Sequence, residues 1–158
     1  MIIKYIKNIT YEKKSLIYRG LCILFLMYSC LMLWEVFIGP YRSHSNVRRY
    51  NLYPFKTIAE FILNADHYSS ETIFINLTAN IITFVPLGFF TSLFFKKLKK
   101  LTPMLLTSII IITIIELGQF ILRVGVLDID DIILNTIGCI IGFIFYKRLK
   151  TFIQKERF

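Results

Sequence analysis

The stretch TPMLLTSIIIITIIELGQFIL (Thr102–Leu122) is largely apolar and carries no charge or amide except Glu116 and Gln119 near its end. About 20 such residues are needed to carry an α-helix across ~30 Å of hydrocarbon, so the stretch predicts a transmembrane helix. Working outward, apolar blocks of the same kind run from Leu16 to Ile38 and from Ile73 to Phe95. A fourth, Ile132 to Tyr146, is short; it crosses only if it starts near the acidic run Asp128-Ile129-Asp130-Asp131 or if the bilayer thins around it. The expected fold is therefore all-α: a polytopic membrane bundle of four helices. Residues 1–15 form a basic head, 16–146 the membrane domain and 147–158 a basic tail.

Composition agrees. Of 158 residues, 56% are hydrophobic and 18% charged, against about 25% charged in soluble domains. The net charge is +9. In a soluble protein that would suggest nucleic-acid binding. Here the cations sit at the ends of apolar blocks, which argues against a nucleic-acid partner and for a role in orientation. Lys4, Lys7, Lys13, Lys14 and Arg19 flank the first block, Lys96, Lys97, Lys99 and Lys100 separate the second from the third, and Lys147, Arg148, Lys150, Lys155 and Arg157 follow the fourth. By the positive-inside rule these segments share the cytoplasmic side, with both termini inside. The first block exceeds the usual apolar length of a cleaved signal and is followed by no Ala-x-Ala site, so it is read as an uncleaved anchor. Trp34-Glu35 and Gly39-Pro40-Tyr41 mark its outer end.

The opposite side receives the segment Gly39 to Thr72, too long for a turn. Within it, Pro54 biases Tyr53 to an extended conformation. Ile58, Phe61 and Ile62 then recur at helical spacing, as a short amphipathic helix on the membrane surface requires. Cys22, Cys30 and Cys139 all lie in apolar blocks at spacings that suit no metal site, and read as small packing residues.

The polar residues inside the blocks are unevenly placed. At ~1.5 Å per residue, Glu116 lies roughly 9 Å below the outer boundary of its helix, with Gln119 and Arg123 further along one face. Asp128, Asp130 and Asp131 open the fourth block and Asn135 lies a turn below Asp131; Asn76, Asn80 and Thr83 line the outer half of the second. Side chains of this kind are costly in hydrocarbon and usually face a partner, a cavity or a ligand. The expectation is an outward-facing polar pocket formed by Asn80, Glu116, Gln119, Arg123, Asp128, Asp131 and Asn135. Arg123, Asn80 and Asn135 are candidate partners for Glu116, and Arg42, Arg48, Arg49 and Lys56 in the outer loop suit phosphate contacts. A plainer reading makes Asp128 and Asp130 a solvated helix cap.

Glu116 and Asp131 are the candidates for acid/base chemistry or, with Asp128, for holding a divalent cation; the spacing is diagnostic of neither, and no metal or cofactor is called for. His44 and His67 lie in the outer segment, away from any Ser or Cys motif, and no phosphate loop, dinucleotide fingerprint or HExxH occurs. Gly138-x-x-x-Gly142 provides a small-residue face for close helix packing, within the chain or toward a membrane partner or oligomer. Pro86-x-Gly88 predicts a kink in the second helix.

Taken in order, four motifs resemble the VanZ-like family. They are Asn51-Leu-x-Pro54-Phe55; Asn80-Ile-Ile-Thr-Phe84-Val-Pro86-Leu-Gly88; Glu116-x-x-Gln119; and Asp128-x-Asp130-Asp131-x-x-x-Asn135-x-x-Gly138-x-x-x-Gly142. Together they cover about the last two-thirds of the chain. Where many members carry Gly-Arg before the acidic run, this chain has Gly125-Val126, with Arg123 upstream. The resemblance implies an integral protein of the bacterial plasma membrane connected with low-level resistance to glycopeptides, notably teicoplanin, or with ordinary cell-envelope physiology. It supplies no reaction. Lipid-linked wall precursors and acylated glycopeptides are the partners it suggests, beside the bilayer itself. A lipid-headgroup enzyme and a packing module for another membrane protein are the alternatives.

Overall fold

The protein is described by a computed structural model covering residues 2–40, 47–64 and 70–155; Arg42, His44 and His67 lie outside the described residues. Among these, five α-helices order the chain: α1 (Ile2–Phe37), α2 (Lys56–Leu63), α3 (Ser70–Phe94), α4 (Leu101–Leu122) and α5 (Ile129–Lys155). All but α2 are long and apolar enough to cross a membrane. The fold is an all-α polytopic membrane bundle, with the short α2 in the loop between α1 and α3.

Two helices run past the limits that hydropathy suggests. α1 begins at Ile2 rather than near Leu16, and α5 continues from Ile129 to Lys155 instead of stopping at Tyr146. Hydropathy marks where hydrocarbon ends, not where hydrogen bonding ends. Lys, Arg, Ile and Phe continue a helix once it is nucleated, and neither extension contains Gly or Pro. The short fourth span is thus resolved by an early start at Ile129 and a long basic tail.

The centre of the bundle is the seam between α3 and α5, which pack more extensively than any other pair. Three glycines make it possible. A Cβ at Gly88 would lie 2.0 Å from the Cys139 carbonyl oxygen, one at Gly138 2.1 Å from that of Ile81, and one at Gly142 2.0 Å from that of Val85. The two backbones touch, and the seam has no room for a methyl group. Cys139 is fully buried, its thiol 3.6 Å from the Phe84 carbonyl it donates to. Phe84, Leu87, Met104, Ile112 and Phe143 fill the surrounding core. Ser92 and Thr91 satisfy their hydroxyls on the carbonyls of Gly88 and Leu87 in their own helix, at 2.8 and 2.6 Å, as apolar surroundings demand.

α1 is peripheral: 11% of its span is buried, against 44% of α5. It is held by the Tyr28 hydroxyl, which donates to the Thr83 carbonyl at 2.8 Å, and by aromatic contacts such as Tyr18 with Phe94 at 5.4 Å. At one end of the bundle Lys96–Lys99 form a 3₁₀ turn joining α3 to α4. At the other, β1 (Tyr50–Asn51) pairs in parallel with β2 (Leu127–Asp128), Tyr50 opposite Leu127 and Asn51 opposite Asp128. That small sheet, unexpected from sequence, pins the outer loop to the link between α4 and α5.

Candidate functional site at the looped end of the bundle

Asp128 immediately precedes α5 and acts as its N-cap: one carboxylate oxygen accepts from the backbone N–H of Asp130 at 2.9 Å. The same carboxylate also faces the loop. It accepts from the Asn51 amide at 3.2 Å and from the Thr57 hydroxyl at 2.5 Å, and the Asn51 amide also donates to Thr57 at 3.0 Å. Asp130, 0% exposed, reaches to a different helix. Its two oxygens accept from the backbone N–H groups of Phe55 and Ile58, at 2.5 and 3.1 Å.

Those donors are the cap and third residue of α2, two of the orphan N–H groups that open any helix. Phe55 occupies the cap position but has no side-chain acceptor, so the cap is supplied from across the fold. The carboxylate also sits where the α2 dipole favours negative charge.

The turn leading in is strained. Lys56 N–H bonds back to Tyr53 at 3.3 Å, and Phe55, at φ 64 and ψ 7, takes the left-handed position of a type II turn that Gly usually fills. The Asn51-x-x-Pro54-Phe55 motif and the acidic run are therefore one structure, a clasp. The solvated-cap reading is half right: Asp128 caps a helix, but it is 5% exposed and Asp130 is sealed.

Below the clasp lies a second polar layer. Asp131 accepts from the Asn80 amide at 2.6 Å, joining α5 to α3. Gln119 donates to the Val36 carbonyl at 3.0 Å, joining α4 to the end of α1. Glu116 and Asn135 are enclosed, 3% and 2% exposed, and the buried Asn135 Oδ1 accepts from no described residue. Asn76 is exposed. Asn80, Gln119 and Asp131 therefore lie toward the same end of the bundle, with Asp128 bound into the clasp.

Arg123 does not join them. It is exposed and forms no ion pair with a described residue, while the Asn80 amide donates to Asp131. Arg123 instead ends α4. At φ 59 it is the left-handed residue of a Schellman motif: its N–H bonds to Phe120 and that of Val124 to Gln119 at 3.0 Å. A positive-φ role usually belongs to Gly, so sequence gave no cue to it. Gly138 and Gly142 are also placed differently from one expectation. Their face is filled by α3, which leaves none of it for a partner protein.

Over the clasp opens a cleft of about 550 Å³, between the β1–β2 pair and α2. Arg48, Arg49 and Lys56 line it, with Tyr50, Glu60 and the rim of Asp128. The Arg48 guanidinium stands over the Phe120 ring at 5.7 Å, and Lys56 approaches Glu60 at 3.9 Å. Among the described residues, no three His, Cys, Asp or Glu side chains are grouped as metal ligands would be. The clasp carboxylates instead accept hydrogen bonds from protein donors.

The sequence model of the VanZ/LLP1 family matches residues 20–152. Protein VanZ of Enterococcus faecium is 29% identical over 98 residues, covering 62% of this chain and 60% of that protein. This chain thus aligns with about three-fifths of the relative's length. No solved structure matches.

Proposed function

Because this chain belongs to the VanZ/LLP1 family, we propose that it is a multi-pass protein of the bacterial plasma membrane that lowers susceptibility to acylated glycopeptides such as teicoplanin. Both termini lie in the cytoplasm, since the basic head, the Lys96–Lys100 link and the basic tail fall on one side of the four spans. The clasped end then faces outward, where lipid-linked wall precursors and the drug's acyl chain meet the outer leaflet.

The observation that carries this reading is the convergence of motifs far apart in sequence on one end of the bundle. Asn51 and Thr57 meet Asp128, the N-terminus of α2 meets Asp130, and Asn80 meets Asp131. A structure whose only task was to span a bilayer has no need to bury two carboxylates in a loop. The test is the inhibitory concentration of teicoplanin in a host with and without the gene, and with Asp130→Ala. The intact gene should raise it and the variant should not. No change with the intact protein, at confirmed membrane expression, would refute a role in resistance.

A further inference from the structure

We propose that the cleft between α2 and the β1–β2 pair binds the phosphate of a membrane lipid, with Arg48, Arg49 and Lys56 as its ligands. This rests on the reading above only for the side of the membrane it faces. The cleft, about 550 Å³, is shallow and open to the surface, so a headgroup can enter it without a rearrangement. Its three cations come from two elements that the clasp locks together: Arg48 and Arg49 lead into β1, and Lys56 opens α2. Two adjacent guanidiniums and an ammonium suit a tetrahedral oxyanion, because guanidinium forks make paired, charge-assisted hydrogen bonds to phosphate oxygens.

The two carboxylates in the wall do not cancel this charge equally. Asp128 is turned into the clasp and accepts from Asn51, Thr57 and the Asp130 N–H. Glu60 meets Lys56 at 3.9 Å with both side chains more than half exposed, a loose surface pair that a phosphate can displace. The Arg49 side chain makes no ion pair with a described residue, and Arg48 rests on the Phe120 ring with its edges available.

Depth selects a lipid as the source. The cleft lies at the level where α4 ends and α5 begins, the same end at which Trp34 closes α1 half exposed, as an interfacial anchor would be. Lipid phosphates occupy that level. The apolar flank of α4 below it, with Ile114, Leu117 and Ile121 exposed, leaves the lipid's chains in hydrocarbon.

The experiment uses the full chain purified in detergent micelles, titrated with dioleoyl phosphatidic acid, with dioleoylglycerol, and with inorganic phosphate. Phosphatidic acid should bind and dioleoylglycerol should not. Arg49→Gln should weaken binding about fivefold, and Arg48→Gln with Arg49→Gln more than tenfold, as expected for lost charge-assisted hydrogen bonds. Glu60→Gln should tighten it. Lys97→Gln with Lys99→Gln, at the other end of the bundle, should leave it unchanged, and the melting temperatures of all variants should match the parent.

Equal loss from the Lys97/Lys99 pair would reduce the effect to general charge attraction and overturn the proposal. Inorganic phosphate binding as tightly as phosphatidic acid would overturn the lipid assignment, and indifference to Arg49→Gln would overturn the site. The readout contains no drug, so phosphate binding without any change in teicoplanin susceptibility would sink the proposed function and leave this site standing.

Discussion

The two ends of the α3–α5 pair are held by different physics. Along the seam, Gly88, Gly138 and Gly142 bring backbone against backbone, with only the Cys139 thiol donating to the Phe84 carbonyl beside them. At the clasp, the same α5 begins with Asp128, Asp130 and Asp131, all three carboxylates engaged by donors from other elements. The first arrangement tolerates no added atom. The second spends charge, burial and a left-handed phenylalanine to fix a loop against the start of α5. Among the described residues, both positive-φ residues, Phe55 and Arg123, and the buried carboxylates Glu116, Asp128 and Asp130 lie toward this end.

The contrast can be broken at the seam first. Gly138→Leu must place a side chain where the Ile81 carbonyl stands 2.1 Å from the first added carbon. It should cost about 3 kcal/mol or more, beyond the usual overpacking range because a helix backbone has to move. Loss of folded protein in detergent, read by thermal melting, checks it. A near-parental melt would mean the helices are not in contact there.

The clasp should break more locally. Asp130→Ala leaves the part-buried N–H groups of Phe55 and Ile58 without their acceptor, at about 1–2 kcal/mol. The expected signature is faster hydrogen exchange and protease cleavage within residues 50–64, with protection of α3 and α5 retained. Global unfolding instead would show that the two regions are not separable.

The layer between them is weaker still. A double-mutant cycle on Asn80→Leu and Asp131→Leu should give a coupling of about 1 kcal/mol, the scale of interhelical hydrogen bonds within a membrane. A coupling near zero would remove the Asn80–Asp131 bond from the account. The smallest effect has the opposite sign. Phe55→Gly should stabilise the loop by up to about 1 kcal/mol by relieving φ 64, seen as slower exchange in α2. Slower exchange is the result that marks strain; faster exchange would assign the exposed Phe55 ring a contact of its own.

The spans and the glycine seam were readable because each has a local signature: a run of about 20 apolar residues, and small residues four apart. That Asn80 and Asp131 lie at one depth was readable too, since alternate crossing and a fixed rise assign depth. The clasp was not. Two-residue strands have no periodicity, and nothing local says that Asn51 meets Asp128. A cue did exist in Phe55, a cap position with no acceptor, set beside a surplus of acids on the same side of the membrane. Arg123 was misassigned for a related reason: its charge suggests a partner, whereas its backbone, at φ 59, ends a helix.

The central claim, that the outer loop is fixed to the start of α5, is tested most directly by cysteine crosslinking across the β1–β2 pair. In a background with Cys22, Cys30 and Cys139 replaced, Tyr50→Cys with Leu127→Cys places thiols at partner positions of the sheet. A short, membrane-impermeant crosslinker added outside intact cells should join them within one chain, and should fail for Tyr50→Cys with Lys99→Cys. Both thiols labelling singly from outside yet never joining would show that the loop is not docked there.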